Sequence, residues 1–244
     1  MLRRLFVPLA FAFLSTGHAS AESEVHWSYE GESGPEHWGE LAPEFASCAR
    51  GEEQSPIDLS GATKAELSDI EIHWKPVTWD LVNNGHTIRL GGDDGGYAMI
   101  DGRRYDLIQF HFHAPSEHTV DGNHLAMEAH FVHRAEDGGL AVIAVMMVPG
   151  DLNLLFRNIM ALAPAKPATT PFIEFDPREL LPAFSRVWRY RGSLTTPPCS
   201  EIVLWTVLRT PIEVSEADIE AFRKIMPENA RPVQELNRRY LLTN

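Results

Sequence analysis

The chain has 244 residues, 44% of them hydrophobic, with two cysteines and 34 acidic against 21 basic side chains, for a formal charge of −13. That balance argues against nucleic acid or an anionic membrane as a partner, because both would repel the chain. The acidity reports solubility and identifies no substrate.

The first residues read as an export signal. Arg3 and Arg4 form the charged start, Leu5–Leu14 the apolar stretch, and Ala19-Ser20-Ala21 a small-residue cleavage site. The apolar stretch is too short to span a bilayer, so no membrane insertion is expected after cleavage. Removing residues 1–21 would leave residues 22–244, a single domain of 244 − 21 = 223 residues, and loss of the two arginines would take the charge to −15. The expected location is the periplasm or the cell exterior. There an even pair of cysteines, Cys48 and Cys199, is expected to form one disulfide.

Residues 26–38 are rich in aromatic and small side chains without a period, and are predicted to pack irregularly through tryptophan. A short extended run follows at Gln54–Asp58. Ile70–Val82 alternates as strand, interrupted at Pro76. Asn83-Asn84-Gly85 is a turn signal before a strand at His86–Leu90, and Asp101-Gly102 joins Tyr97–Ile100 to Arg104–His113 as a hairpin. Asp137-Gly138-Gly139 turns the chain into Leu140–Val148, an apolar run suited to a central strand. Asp151 is predicted to cap a helix through Leu162, with Leu155, Ile159 and Leu162 on one face. Ser215 with Asp218 resembles a capping box before Ile219, Phe222 and Ile225. Pro164–Pro182 reads as loop, Val187–Arg191 and Ile202–Leu208 as strands, and Glu228–Asn244 as an irregular tail. The pattern predicts a mainly β (α+β) single domain on a large, mostly antiparallel twisted sheet with a few short surface helices.

The chemistry concentrates in Gln109–His130. On a strand, Gln109, His111 and His113 share one face while Phe110 and Phe112 take the other. After a loop at residues 114–123, a second strand-like run, His124–Arg134, places Glu128, His130 and Val132 on one face. Folded back antiparallel, it can bring His130 to the other two histidines, although the pattern leaves the register open. Three neutral imidazoles leave one tetrahedral position of Zn²⁺ open for water, the mark of a catalytic rather than a structural site. Gln109 and Glu128 each lie two residues before a candidate ligand and can orient its ring.

Further stretches carry a resemblance: E-G-E-S-G-P-E-H-W, Q-S-P-I-D, N-N-G-H, Q-F-H-F-H, S-E-H-T-V, M-E-A-H-F-V-H, G-S-L-T-T-P-P-C-S-E and W-T-V-L-R-T-P-I. In this order, from Trp27 to Arg231, the chain resembles the α-class carbonic anhydrases of bacteria. The resemblance implies Zn²⁺ on His111, His113 and His130, with Gln109, Glu128 and the Asn229 carbonyl orienting the rings. It implies that Thr195 accepts a hydrogen bond from zinc-bound hydroxide and donates its own proton to Glu117. Hydroxide would attack CO₂, giving bicarbonate, and His86 would shuttle the remaining proton to buffer. Val132, Val142, Leu194 and Trp205 would form the apolar wall for CO₂. Thr196, beside Thr195 at the substrate, would hold ordered water together with Tyr29 and Asn84. The family also implies cis bonds at Ser55-Pro56 and Pro197-Pro198, and a homodimer as in many bacterial relatives.

Two features depart from or extend the family pattern. Arg89, three residues after His86, stands where relatives often carry a neutral amide, and a cation there is expected to lower the shuttle's pKa and attract anions. The His113–His130 interval is shorter than in animal members and implies a more open cleft. Two other functions use the same residues: a zinc esterase acting on activated esters, and a non-catalytic binding module. The first lacks a recognisable acyl site, and the second is disfavoured by the presence of all three histidines with Glu117 and Thr195.

Overall fold

The computed structural model describes residues 25–183 and 186–244, without the side chains of residues 171–173. The expected export signal at residues 1–21 lies outside the described residues. The strands are β1 (Thr63–Lys64), β2 (Ile70–Trp74), β3 (Val77–Asn83), β4 (Ile88–Gly91), β5 (Gly96–Ile100), β6 (Arg103–His113) and β7 (Thr119–Val120). They continue as β8 (Asn123–His124), β9 (Met127–Arg134), β10 (Leu140–Pro149), β11 (Ala168–Phe175), β12 (Val187–Gly192), β13 (Val203–Val214) and β14 (Leu242–Thr243). Twelve of them form one mixed sheet in the order β1-β14-β12-β13-β10-β9-β6-β4-β3-β11, with β5 joining β2 to β6, while β7 and β8 pair separately.

Alternation along the central strands divides the core. Phe110, Phe112, Phe131, Ile143 and Val145 lie in one apolar cluster with Phe156 and Phe222 from two helices, Leu154–Leu162 and Glu216–Ile225. Burying each phenylalanine contributes about 1.5–3 kcal/mol. The residues between them, His111, His130, Val132 and Val142, face the other way, where Val132 and Val142 join Trp205 in a second cluster. This division holds the two histidine strands rigid from behind.

The Asp101-Gly102 hairpin forms as expected, with positive φ at both residues (52° and 72°), which a tight twisted turn requires. Both expected cis prolines are present, with a third at Ala114-Pro115. Ser215 Oγ accepts from the Asp218 amide, as the capping signal predicts. Four expectations need correction. The helix expected after Asp151 begins at Leu154: Asn153 Oδ1 accepts the Phe156 amide at 2.9 Å, whereas the Asp151 amide donates to Glu213. Its start is therefore two residues later, and Leu162 is 46% exposed rather than on the buried face. Residues 164–182 are not all loop, since β11 pairs antiparallel with β3. Pro171 does not prevent this, because β11 is an edge strand with a register shift between Thr170 and Ile173, where a missing N–H is tolerated. The expected strand His86–Leu90 is β4, beginning at Ile88, and the tail closes with the short strand β14. Most pairings are antiparallel, but the extensive β10–β13 pairing is parallel.

Candidate metal centre

Strands β6 and β9 run antiparallel in a register that sets His111 opposite His130 and His113 opposite Glu128. The three rings gather with centroids 4.6–5.3 Å apart, and one nitrogen from each lies within 4.8 Å of the other two. Each ring is turned by a partner at its other nitrogen. Gln109 Oε1 lies 2.9 Å from His111 Nδ1, and the Asn229 carbonyl 2.6 Å from His113 Nδ1. Glu128 Oε1 lies 3.0 Å from His130 Nε2, a charge contact rather than a well-aligned hydrogen bond. This leaves Nε2 of His111, Nε2 of His113 and Nδ1 of His130 as the converging atoms.

The donor set fits a divalent cation. His113 Nε2 and Glu117 Oε2 are buried, 3.4 Å apart, and neither has a hydrogen-bond partner. Burial lowers the pKa of His111 well below the usual histidine value, assisted by the charges of His113, His130 and Arg89. Burial also lowers that of His113, against the opposing pull of Glu117. Neutral imidazole is the form that binds a metal. Glu128 is held well below the usual carboxylate range: burial alone would raise it, but the charges of His118 and His130 and the hydrogen bond with His118 prevail. Three imidazole nitrogens with an open fourth corner suit zinc in a catalytic site.

Residues 33–244 match the model of the eukaryotic-type carbonic anhydrase family. The chain belongs to the α-carbonic anhydrase family. It is 41% identical over 254 residues to a carbonic anhydrase of Nostoc, covering 98% of this chain and 96% of that protein. A carbonic anhydrase of Klebsiella pneumoniae is 45% identical over 222 residues, covering 89% and 90%. Among solved structures, the α-carbonic anhydrase of Thermovibrio ammonificans, in complex with the inhibitor sulfanilamide, superposes with a TM-score of 0.88 at 44% identity, over 90% of this chain and all of that one. The protein is accordingly an enzyme of the carbonic anhydrase class.

Around the histidines, this carbonic anhydrase chain places the other expected residues unevenly. Val132, Val142 and Trp205 sit side by side in register across β9, β10 and β13. The Trp205 ring lies edge-on 4.9 Å from that of His130, and Leu194 packs on the same cluster. Thr195 and Thr196 lie on the loop after β12, where the Leu194 amide bonds the Ser200 carbonyl and the Cys199 amide bonds the Thr196 carbonyl. The expected Cys48–Cys199 disulfide is formed, with Cα atoms 5.0 Å apart. Glu117 Oε1 accepts the Arg231 amide at 2.9 Å, but Oε2 has no partner, so the expected donation from the Thr195 hydroxyl is not made in this structure. Tyr29 is partly buried, and burial together with the Glu117 charge raises its pKa. Asn84 Oδ1 receives the amides of His86 and Thr87 and so shapes the turn itself.

His86 lies half-buried with its ring stacked on Trp27 at 3.8 Å. Its pKa is lowered by burial and by His26. Arg89 is not among the causes, which corrects the expectation that it tunes the shuttle. The register pairs Arg89 with His111, and its charge acts on that ring instead.

Several residues that hold the site were missed or undervalued in the sequence. His118 is buried and uses both nitrogens, on Glu128 at 2.7 Å and on the Tyr190 hydroxyl at 2.7 Å, with Tyr190 bonded onward to Ser55. It therefore supports Glu128 rather than offering a free ligand nitrogen. Arg231, 2% exposed, bonds the Ser55 and Cys48 carbonyls and Gln54. Gly192 has no room for a Cβ between Ser55, Tyr190 and Trp205. No short-range pattern marks any of these, because each acts through partners distant in the chain.

Proposed function

We propose that the protein catalyses the reversible hydration of CO₂ to bicarbonate and a proton, using Zn²⁺ held by His111, His113 and His130. One observation carries this reading: three imidazole nitrogens, each already oriented from behind, converge within 4.8 Å in a chain of the carbonic anhydrase family. Zinc on three neutral imidazoles lowers the pKa of water to about 7 and so supplies hydroxide at neutral pH, an effect for which carbonic anhydrase is itself the reference case.

The chain's own residues would do the rest. Gln109, Glu128 and the Asn229 carbonyl keep the rings aimed. Thr195 has one proton and two lone pairs, so it can accept from the attacking oxygen while donating to Glu117 Oε2, which has no other partner. A carboxylate only accepts, so this chain of bonds fixes the hydroxyl and turns a lone pair of the nucleophile toward carbon. Val132, Val142, Leu194 and Trp205 offer CO₂ a surface that competes poorly for water. Thr196, Tyr29 and the amide of Asn84 hold water opposite. His86, its pKa below the usual histidine value, is predominantly neutral at pH 7 and able to take up a proton and release it to buffer. The disulfide supports export to an oxidising compartment, after loss of residues 1–21.

Metal analysis paired with stopped-flow CO₂ hydration tests the reading. Zinc close to one per chain, with hydration lost in His111→Ala, is expected. Stoichiometric zinc with no hydration would overturn it in favour of a binding module.

A further inference from the structure

A second cavity, of about 610 Å³, lies between β12, the β5–β6 hairpin and the C-terminal segment. None of His111, His113, His130, Glu117 or Thr195 lines it. Its wall carries five arginines, Arg103, Arg189, Arg191, Arg238 and Arg239, against three carboxylates, Glu52, Glu53 and Asp101. A positive excess is unexpected on a chain of charge −13.

The arginines are not all neutralised by neighbours. Arg103 pairs with Asp137, and Arg189 with Asp101. Arg239 donates to the carbonyls of Arg191, Glu235 and Leu236, lies 5.6 Å from the Tyr190 ring centroid and feels the charges of Glu53 and Glu201. Arg191 and Arg238 are exposed and enter no ion pair among the described residues. Arg189 is 3% exposed, and its terminal nitrogens are already held by Asp101 and Ser68. The rest of the lining is Asn237, which donates to the Glu52 carbonyl, together with apolar and aromatic side chains that include Leu67, Leu204, Leu242 and Tyr240.

Apolar walls with a few convergent charges, in a cavity of this size, are the usual form of a small-molecule site. Arginine matches a carboxylate with paired N–H donors. The three acidic residues penalise a multiply charged anion, and the apolar walls give an inorganic ion nothing to contact. We infer that this cavity binds a small organic monocarboxylate with a flat apolar body, its charge beside Arg191 and Arg238 and its body against Leu67 and Tyr240.

Calorimetric titration of the zinc-loaded protein with naphthoate tests this, with naphthylmethanol as the neutral isostere and bicarbonate as the inorganic anion. His111→Ala removes the metal centre as a competing anion site. Arg191→Ala with Arg238→Ala changes only exposed side chains, and Leu67→Trp fills the cavity. Saturable naphthoate binding should survive His111→Ala, weaken by about tenfold in the double arginine variant and disappear in Leu67→Trp. Naphthylmethanol and bicarbonate should each bind at least about tenfold more weakly than naphthoate. Loss of binding in His111→Ala, indifference to the arginine pair, or equal binding of either control would overturn the inference. So would absent naphthoate binding with an altered sedimentation coefficient in the arginine variant, which would make this surface a contact between chains.

Discussion

Replacing Cys48 and Cys199 together by alanine opens a bridge whose ends are 151 residues apart in the chain. In the chain-entropy account, closing a loop of that length restricts the unfolded chain by about 17 cal/mol/K, or about 5 kcal/mol at room temperature. Folded domains of ordinary stability have about 5–15 kcal/mol in all, so the variant should be only marginally stable. Equilibrium unfolding in guanidinium, followed by tryptophan fluorescence, measures the loss directly. The m-value should rise as well, because the unbridged unfolded chain is more expanded. Activity should fall before the fold does, since the bridge anchors the site from both sides. The Cys199 carbonyl accepts from Gln54 at 3.0 Å, and the Cys48 carbonyl accepts from Arg231, whose amide holds Glu117. A loss below about 1 kcal/mol, with CO₂ hydration unchanged, would refute this reasoning. It would mean that these hydrogen bonds and the packing on Trp38 hold the loop unaided.

Gln109→Ala and Glu128→Gln should each weaken zinc affinity by about 10- to 100-fold, measured by competition with a chromophoric chelator, and unchanged affinity would show the rings need no orienting partner. His86→Ala should lower turnover in weak buffer by up to about 100-fold, with added imidazole restoring part of it; full turnover would exclude His86 as the main proton carrier. Arg89→Gln should leave the activity–pH midpoint attributed to His86 in place, because its charge acts on His111, and a displaced midpoint would contradict that assignment. Burial depresses His133 to about 4, and its Nε2 accepts from Trp74 Nε1 at 3.0 Å. The folded state therefore favours the neutral ring, and its contribution is fully present above pH 6.5 and lost as pH falls toward about 4, roughly 3 kcal/mol in all. His133→Gln should flatten stability against pH across that window, and an identical slope would count against the assignment.

Period two made the metal ligands legible. Q-F-H-F-H states which side chains share a face, and the matching pattern around His130 states that a second strand can supply the third nitrogen. Register was not legible, because the β6–β9 pairing shifts between Leu107 and Gln109, and no local pattern encodes an irregularity on one strand that its partner must match. Arg89 was misassigned for the same reason: three residues along a strand is about 10 Å, whereas a cross-strand neighbour lies about 5 Å away. The parallel β10–β13 pairing joins segments far apart in the chain, beyond the reach of turn rules. Strand β11 contains a proline, which disfavours a central strand, and it pairs with β3, a segment far away in the chain. Asn229 came from family likeness alone, and its role is plain only once its side chain is seen bonding the Ala114 amide and the Phe112 carbonyl beside β6.

The strands that carry the histidines, β6 and β9, are interior members of the sheet, bordered by β4 and β10. Fraying begins at edges and termini, so the slowest amide exchange is expected where the ion would sit. The socket is thus built by the hydrophobic sheet and not by the guest it receives. Chelation should empty it without melting the protein, and returning the metal should restore function in a binding step rather than a refolding one.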